Sequence, residues 1–139
     1  MREIKFRAWR EETQHMFHAV LEIDFVEEWV TIWGKIIGES YFWLQELVLL
    51  QYTGLKDRYG TEIYEGDILE LCENYPNEEG RVFQVVFKDG GFGDERGNYI
   101  GQYLPEDIKN KQGERVRLNE ACEVIGNIYE NKELLKDIK

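Results

Sequence analysis

The chain has 139 residues, about one domain's worth, and carries 17 Lys and Arg against 28 Asp and Glu for a formal net charge of −11. Its 42% apolar and 14% aromatic residues are enough for a packed core, which excludes disorder as the default state. The acidic balance argues against a protein that grips nucleic acid by bulk positive charge, because phosphate contacts draw on Lys and Arg.

The elements follow in chain order. Ile4 to Ala8 alternates apolar and polar residues, the pattern of a half-buried strand. Arg10 to Gln14 reads as a turn, and His15 to Val20 as the return strand of a hairpin. Trp29-Val30-Thr31-Ile32-Trp33 is β-branched and aromatic, suited to a pleated, partly buried surface. Gly34 and Gly38 bound a short apolar piece, and Glu39 to Gln45 reads equally as strand or helix. Leu47 to Thr53 is expected as a strand closed by Gly54, followed by turns at Lys56–Gly60 and Glu65–Asp67.

Ile68 to Cys72 begins another strand, and Asn74 to Gly80 reads as a loop. Arg81 to Phe87 carries the strongest strand pattern, and the Asp89-Gly90 step after it signals a hairpin. Asp94 to Gln112 is polar and weakly patterned. Arg115 to Leu118 alternates again, and Cys122 to Tyr129 is the next expected strand. Asn131 is placed to cap a terminal helix over Lys132 to Ile138. Short strands with frequent turns predict a mainly β fold of the barrel or roll type.

The N-terminus lacks an apolar signal core, and the apolar run from Ser40 to Tyr52 is broken by Gln45, Glu46 and Gln51. A protein without a membrane partner, in the cytoplasm, is therefore expected. Cys72 and Cys122 sit in apolar surroundings and are expected as reduced, buried thiols.

Candidate chemistry is sparse. His15, His18, Cys72 and Cys122 have the ligand types of structural zinc, but the cysteines lack C-x-x-C spacing. A His15-x-x-His18 pair on a strand would also point to opposite faces. Neither cysteine sits at a helix start that would activate it as a nucleophile. Asp89-Gly90-Gly91-Phe92-Gly93 has a superficial likeness to a phosphate loop, yet Asp94 and Glu95 follow where phosphate would bind. Glu27-Glu28, Glu78-Glu79 and Glu106-Asp107 read as solvated surface. No catalytic, metal or cofactor site is expected.

Three stretches resemble one family. They are Arg2-Glu3-Ile4-Lys5-Phe6-Arg7-Ala8-Trp9, the long central run Gln51 to Ile68 containing Thr53-Gly54-Leu55-Lys56-Asp57 and Ile63-Tyr64-Glu65-Gly66-Asp67, and Glu123-Val124-Ile125-Gly126-Asn127-Ile128-Tyr129 continuing to Leu135. In order and coverage they resemble the YopX-like family of bacteriophage and prophage proteins. That resemblance implies a mainly β fold with an SH3-like barrel, to which the pattern along the chain adds an extra N-terminal hairpin and a short C-terminal helix. It implies one domain over 1–139, variable over about 13–46, with the barrel over about 47–130. It also implies a phage origin and a host cytoplasmic location, but no established activity.

Within the motifs, Asp57 and Asp67 are expected to accept backbone hydrogen bonds in turns, and Gly54, Gly60 and Gly66 to take conformations a side chain would strain. Trp9, Trp29, Trp33 and Trp43, with Phe25, Tyr41 and Phe42, crowd the N-terminal third with aromatics, suited to core packing or to an interface. The four tryptophans with Tyr52 and Tyr64 form the candidate interaction surface, for an unknown protein partner or for self-association. The expected function is therefore a non-enzymatic protein-binding accessory protein. A nucleic-acid-associated β-barrel is the alternative, requiring a basic groove around Arg2, Lys5, Arg7, Arg10 and Lys56. An enzyme of unknown reaction is the remaining one.

Overall fold

A computed structural model describes residues 3–72 and 80–136. It divides into two compact units, Met1–Tyr52 and Thr53–Lys139. The loop expected over 74–79 and the end of the helix expected beyond 136 lie outside the described residues.

In the first unit, β1 (Phe6–Arg10) pairs antiparallel with β2 (His15–Phe17) around a tight turn. The expected return strand to Val20 is interrupted at exposed His18. The chain there leaves one sheet for another, because β3 (Ala19–Asp24) pairs with β4 (Trp29–Gly34) and not with β1. The ambiguous segment after Gly38 resolves as strand β5 (Gly38–Trp43), followed by a single helical turn at Leu44–Glu46. Strands β3, β4 and β5 form a three-stranded antiparallel sheet in that order. One face of it, with Val30 and Ile32 fully buried, packs with Ala8, Phe17 and Leu47 into the unit's core. Burial of each such aliphatic side chain is worth roughly 1.5–3 kcal/mol.

The last strand of the first unit runs longer than expected. β6 (Val48–Lys56) pairs its first half with β1 and continues through Gly54. Gly54 has φ 85°, a conformation that costs glycine little, so it bends the strand without ending it. The Thr53 hydroxyl donates to the Ile63 carbonyl at 2.7 Å, which ties this bend to β7 (Glu62–Tyr64).

In the second unit β8 (Asp67–Leu71) is flanked by β9 (Val82–Gln84) and β12 (Cys122–Asn127). Central position explains its burial on both faces, with Ile68 and Leu69 wholly inaccessible. The strand expected over Arg81 to Phe87 divides at Val85. Its first part, β9, belongs to β8, while β10 (Val86–Lys88) pairs with β11 (Gly91–Gly93). Val85 at the break is fully buried, donates to Asp67 and accepts from Gly66. The β10–β11 loop is the expected Asp89-Gly90 pair, both at positive φ (52° and 82°), as a two-residue hairpin requires.

Arg115 to Leu118 alternates as expected but forms only isolated bridges, Arg115 to Lys109 and Arg117 to Tyr103. The strand expected to reach Tyr129 ends at Asn127, whose side-chain oxygen accepts from the Tyr129 and Glu130 amides. The Asn131 oxygen turns back to the Asn127 amide at 3.1 Å, ahead of the short helix α1 (Glu133–Lys136). The fold is mainly β with a short C-terminal helix, as expected. No helix among the described residues is long and apolar enough to cross a membrane.

Candidate interaction surface

The aspartates of the central motif hold backbone in place. Asp57 is buried, and one carboxylate oxygen accepts from the Tyr59 and Thr61 amides at 2.9 Å each. Its other oxygen accepts from the Val124 amide, 67 residues along the chain, at 2.9 Å. Asp67 accepts from the Tyr64 amide at 2.8 Å. These groups are committed to turns and to strand attachment, so the motif reads as scaffold.

Two further buried groups are structural. Asp94 accepts from the Arg96 and Asn98 amides, the Asn98 side chain and Arg81, the last at 2.9 Å. Burial alone would push this carboxyl up; the Asn98 donors and Arg81 outweigh it and hold it below its ordinary value. A depressed acid contributes stability above its unfolded pKa and loses it as pH falls through the folded one. Asp94→Asn should therefore flatten the acid limb of a stability-against-pH curve below about pH 4, measured by urea denaturation.

Cys122 is fully buried on β12, and burial, with Cys72 nearby, pushes its thiol up to about 12. A raised acid contributes stability in full below its unfolded pKa, and that contribution is lost as pH rises through the folded value. The protein should lose stability between about pH 9 and 12, and Cys122→Ser should reduce that slope. At pH 8 a thiol reagent should modify half-buried Cys72 well before Cys122, which mass spectrometry of the digested protein would read.

Among the described residues no His, Cys, Asp and Glu side chains group so as to hold a metal ion. His15 instead packs edge-on against Phe17, ring centroids 4.6 Å apart.

The expected aromatic surface separates into buried and exposed members. Trp9 is only 2% exposed, its indole N–H donating to Glu11 at 2.7 Å. Tyr52 is 5% exposed, with the Lys5 ammonium 4.9 Å from its ring centroid. Both are corrected to buried residues, since side chains so enclosed cannot present area to a partner. Tyr64 is half-buried on β7, which belongs to the second unit, while the four tryptophans belong to the first.

Trp29, Trp33 and Trp43 are brought together. Strand alternation puts Val30, Ile32 and Phe42 on the core face of the β3–β4–β5 sheet, so Trp29, Thr31 and Trp33 project from the other. Their cross-strand partners there are Trp43, Tyr41 and Glu39, in that order. Trp33, Tyr41 and Trp43 are 49%, 66% and 61% exposed. Trp29 packs edge-to-face on Tyr41, centroids 5.6 Å apart, which fixes two of the rings. Beneath them Thr31 is 3% exposed, and its hydroxyl has no hydrogen-bond partner among the described residues. Glu22 lies opposite Thr31 on β3, and Asp24 opposite Trp29. Thr31, Glu22 and Glu39 are additions to the expected surface, and Tyr41, read from the sequence only as part of the aromatic third, joins it. The spacing Glu39-x-Tyr41-x-Trp43 carries the signal for the β5 members once that segment is known to be a strand.

Comparison with protein families finds the YopX protein family over residues 5–136. The chain belongs to the YopX family. The match runs through both compact units, and the three motifs read from the sequence fall largely within it. Among solved structures the chain is similar to protein EF1440 from Enterococcus faecalis, at 27% identity and a TM-score of 0.62, covering 97% of this chain and 99% of that one. Curated proteins give no match. YopX membership thus accounts for the architecture and the motif scaffold, and the aromatic face lies in the part of the chain the motifs leave out.

Proposed function

We propose that this YopX-family protein is a phage or prophage accessory protein of the host cytoplasm. It acts without catalysis, by binding another protein on the outer face of the β3–β4–β5 sheet. On this reading the second unit is the SH3-like part of the fold and serves as scaffold. The observation that carries the proposal is the concentration of exposed Trp33, Tyr41 and Trp43 on one sheet face. Large aromatics cost solubility where they are exposed, and at interfaces they supply most of the binding energy.

Nucleic acid fits this face poorly, because Glu22, Asp24 and Glu39 line it and would repel phosphate. The test is capture from phage-infected host extract at low and high salt, run beside a Trp33→Ala/Trp43→Ala protein. A host or phage protein retained by the native chain and lost with the variant supports the reading. Recovery of nucleic acid alone, or capture indifferent to the two tryptophans, overturns it.

A further inference from the structure

Resting on that reading, we infer the chemistry of the partner: the β3–β4–β5 face takes an extended cationic segment. Its Arg or Lys side chains lie over Trp33, Tyr41 and Trp43 and reach Glu22 and Glu39.

Charge is the first argument. Residues 19–46, which build the sheet and its turns, contain six acids and one basic residue, Lys35. The acids are placed among the rings: Glu39 is the cross-strand partner of Trp33, and Glu22 is opposite Thr31. An aromatic face attracts a cation through its negative quadrupole, and an adjacent carboxylate adds a direct ion pair. The same chain already uses such a contact, with the Arg10 guanidinium 4.7 Å from the Phe42 ring centroid.

Geometry is the second argument. Side chains on one face of a strand recur about every 6.8 Å, and an extended peptide presents alternate side chains at the same interval. A segment with a basic residue at every second position would therefore meet one ring after another.

Other occupants fit less well. A second copy pairing the same face around a two-fold axis would bring together two surfaces that each carry Glu22, Asp24 and Glu39. An anionic membrane meets the same repulsion.

The test is fluorescence anisotropy of a labelled ten-residue Arg-Ser repeat, with Lys-Ser and Glu-Ser repeats for comparison. Saturable binding of the Arg and Lys repeats is expected, with none of the Glu repeat. Affinity should fall about tenfold between low and moderate salt, since these charges are exposed. Glu22→Gln/Glu39→Gln should weaken binding about tenfold with an unchanged far-UV spectrum. Absence of saturable binding, equal binding of the Glu repeat, or indifference to salt and to the two glutamates overturns the inference. So does concentration-dependent dimerisation abolished by the Trp33 and Trp43 substitutions. If extract capture still depends on the tryptophans while these peptide results are negative, the cationic partner is wrong and the binding module stands. If both fail, the binding module falls with it.

Discussion

Asp57→Ala should destabilise the second unit by about 3–5 kcal/mol, a large share of what a domain of this size has to lose. Three backbone amides, of Tyr59, Thr61 and Val124, donate to its carboxylate. Alanine removes both acceptor oxygens, and with them all three bonds, from a buried position. A stranded buried donor costs roughly 1–3 kcal/mol, and bonds to a charged acceptor lie at the upper end of the usual range. The Val124 bond matters most, because it ties the turn after β6 to β12. Arg58 repeats that tie, its amide donating to the Cys122 carbonyl at 3.0 Å.

Asp57→Asn provides the contrast. One oxygen still serves the Tyr59 and Thr61 turn, but the amide nitrogen turns a donor toward the Val124 N–H. About half the loss is expected. Urea denaturation followed by far-UV circular dichroism gives the magnitudes. Hydrogen exchange at the amides of Tyr59, Thr61 and Val124 locates them. All four tryptophans precede Tyr52, so their emission reports the first unit separately. Native-like stability of Asp57→Ala would refute the anchoring role.

What could be read in advance followed from how far apart the interacting residues stand in the chain. The Asp89-Gly90 hairpin is local: two residues that tolerate positive φ between two short strands suffice to define it. The turn role of Asp57 is local too, but its hold on Val124 joins residues no pattern relates. The run from Arg81 to Phe87 alternates like one strand, yet alternation reports faces and not neighbours. Only the tertiary bonds from Val85 to Gly66 and Asp67 reveal that it serves two sheets. Gly54 misled for a related reason, since a glycine that ends an isolated strand can also bend one that is held on both sides. At the candidate surface, composition marked the tryptophans but gave no facing. Trp9 on β1 and Trp33 on β4 each follow a fully buried residue, Ala8 and Ile32, yet one tryptophan is core and the other surface, a difference that alternation along the strand does not carry.

That division of the tryptophans supplies the second large effect. Trp33→Ala/Trp43→Ala should weaken partner binding about a hundredfold or more, because exposed aromatics that become buried centres of an interface commonly contribute about 2 kcal/mol each and 1.4 kcal/mol is tenfold. The same double variant should lose no more than about 1 kcal/mol of stability. Both side chains are half or more exposed already, and the cost is confined to cross-strand packing and strand propensity. Trp9→Ala should behave in the opposite way. Its side chain is enclosed, so truncation leaves a cavity, at a cost of about 3–5 kcal/mol to the first unit. Any binding lost by Trp9→Ala should return under conditions that keep the unit folded. Binding lost by Trp33→Ala/Trp43→Ala should not. Thermal melting and partner titration on the same two preparations separate these outcomes. If the exposed pair proved costly to stability and neutral to binding, the outer face of β3–β4–β5 would be scaffold, and the protein's contact surface would have to lie elsewhere.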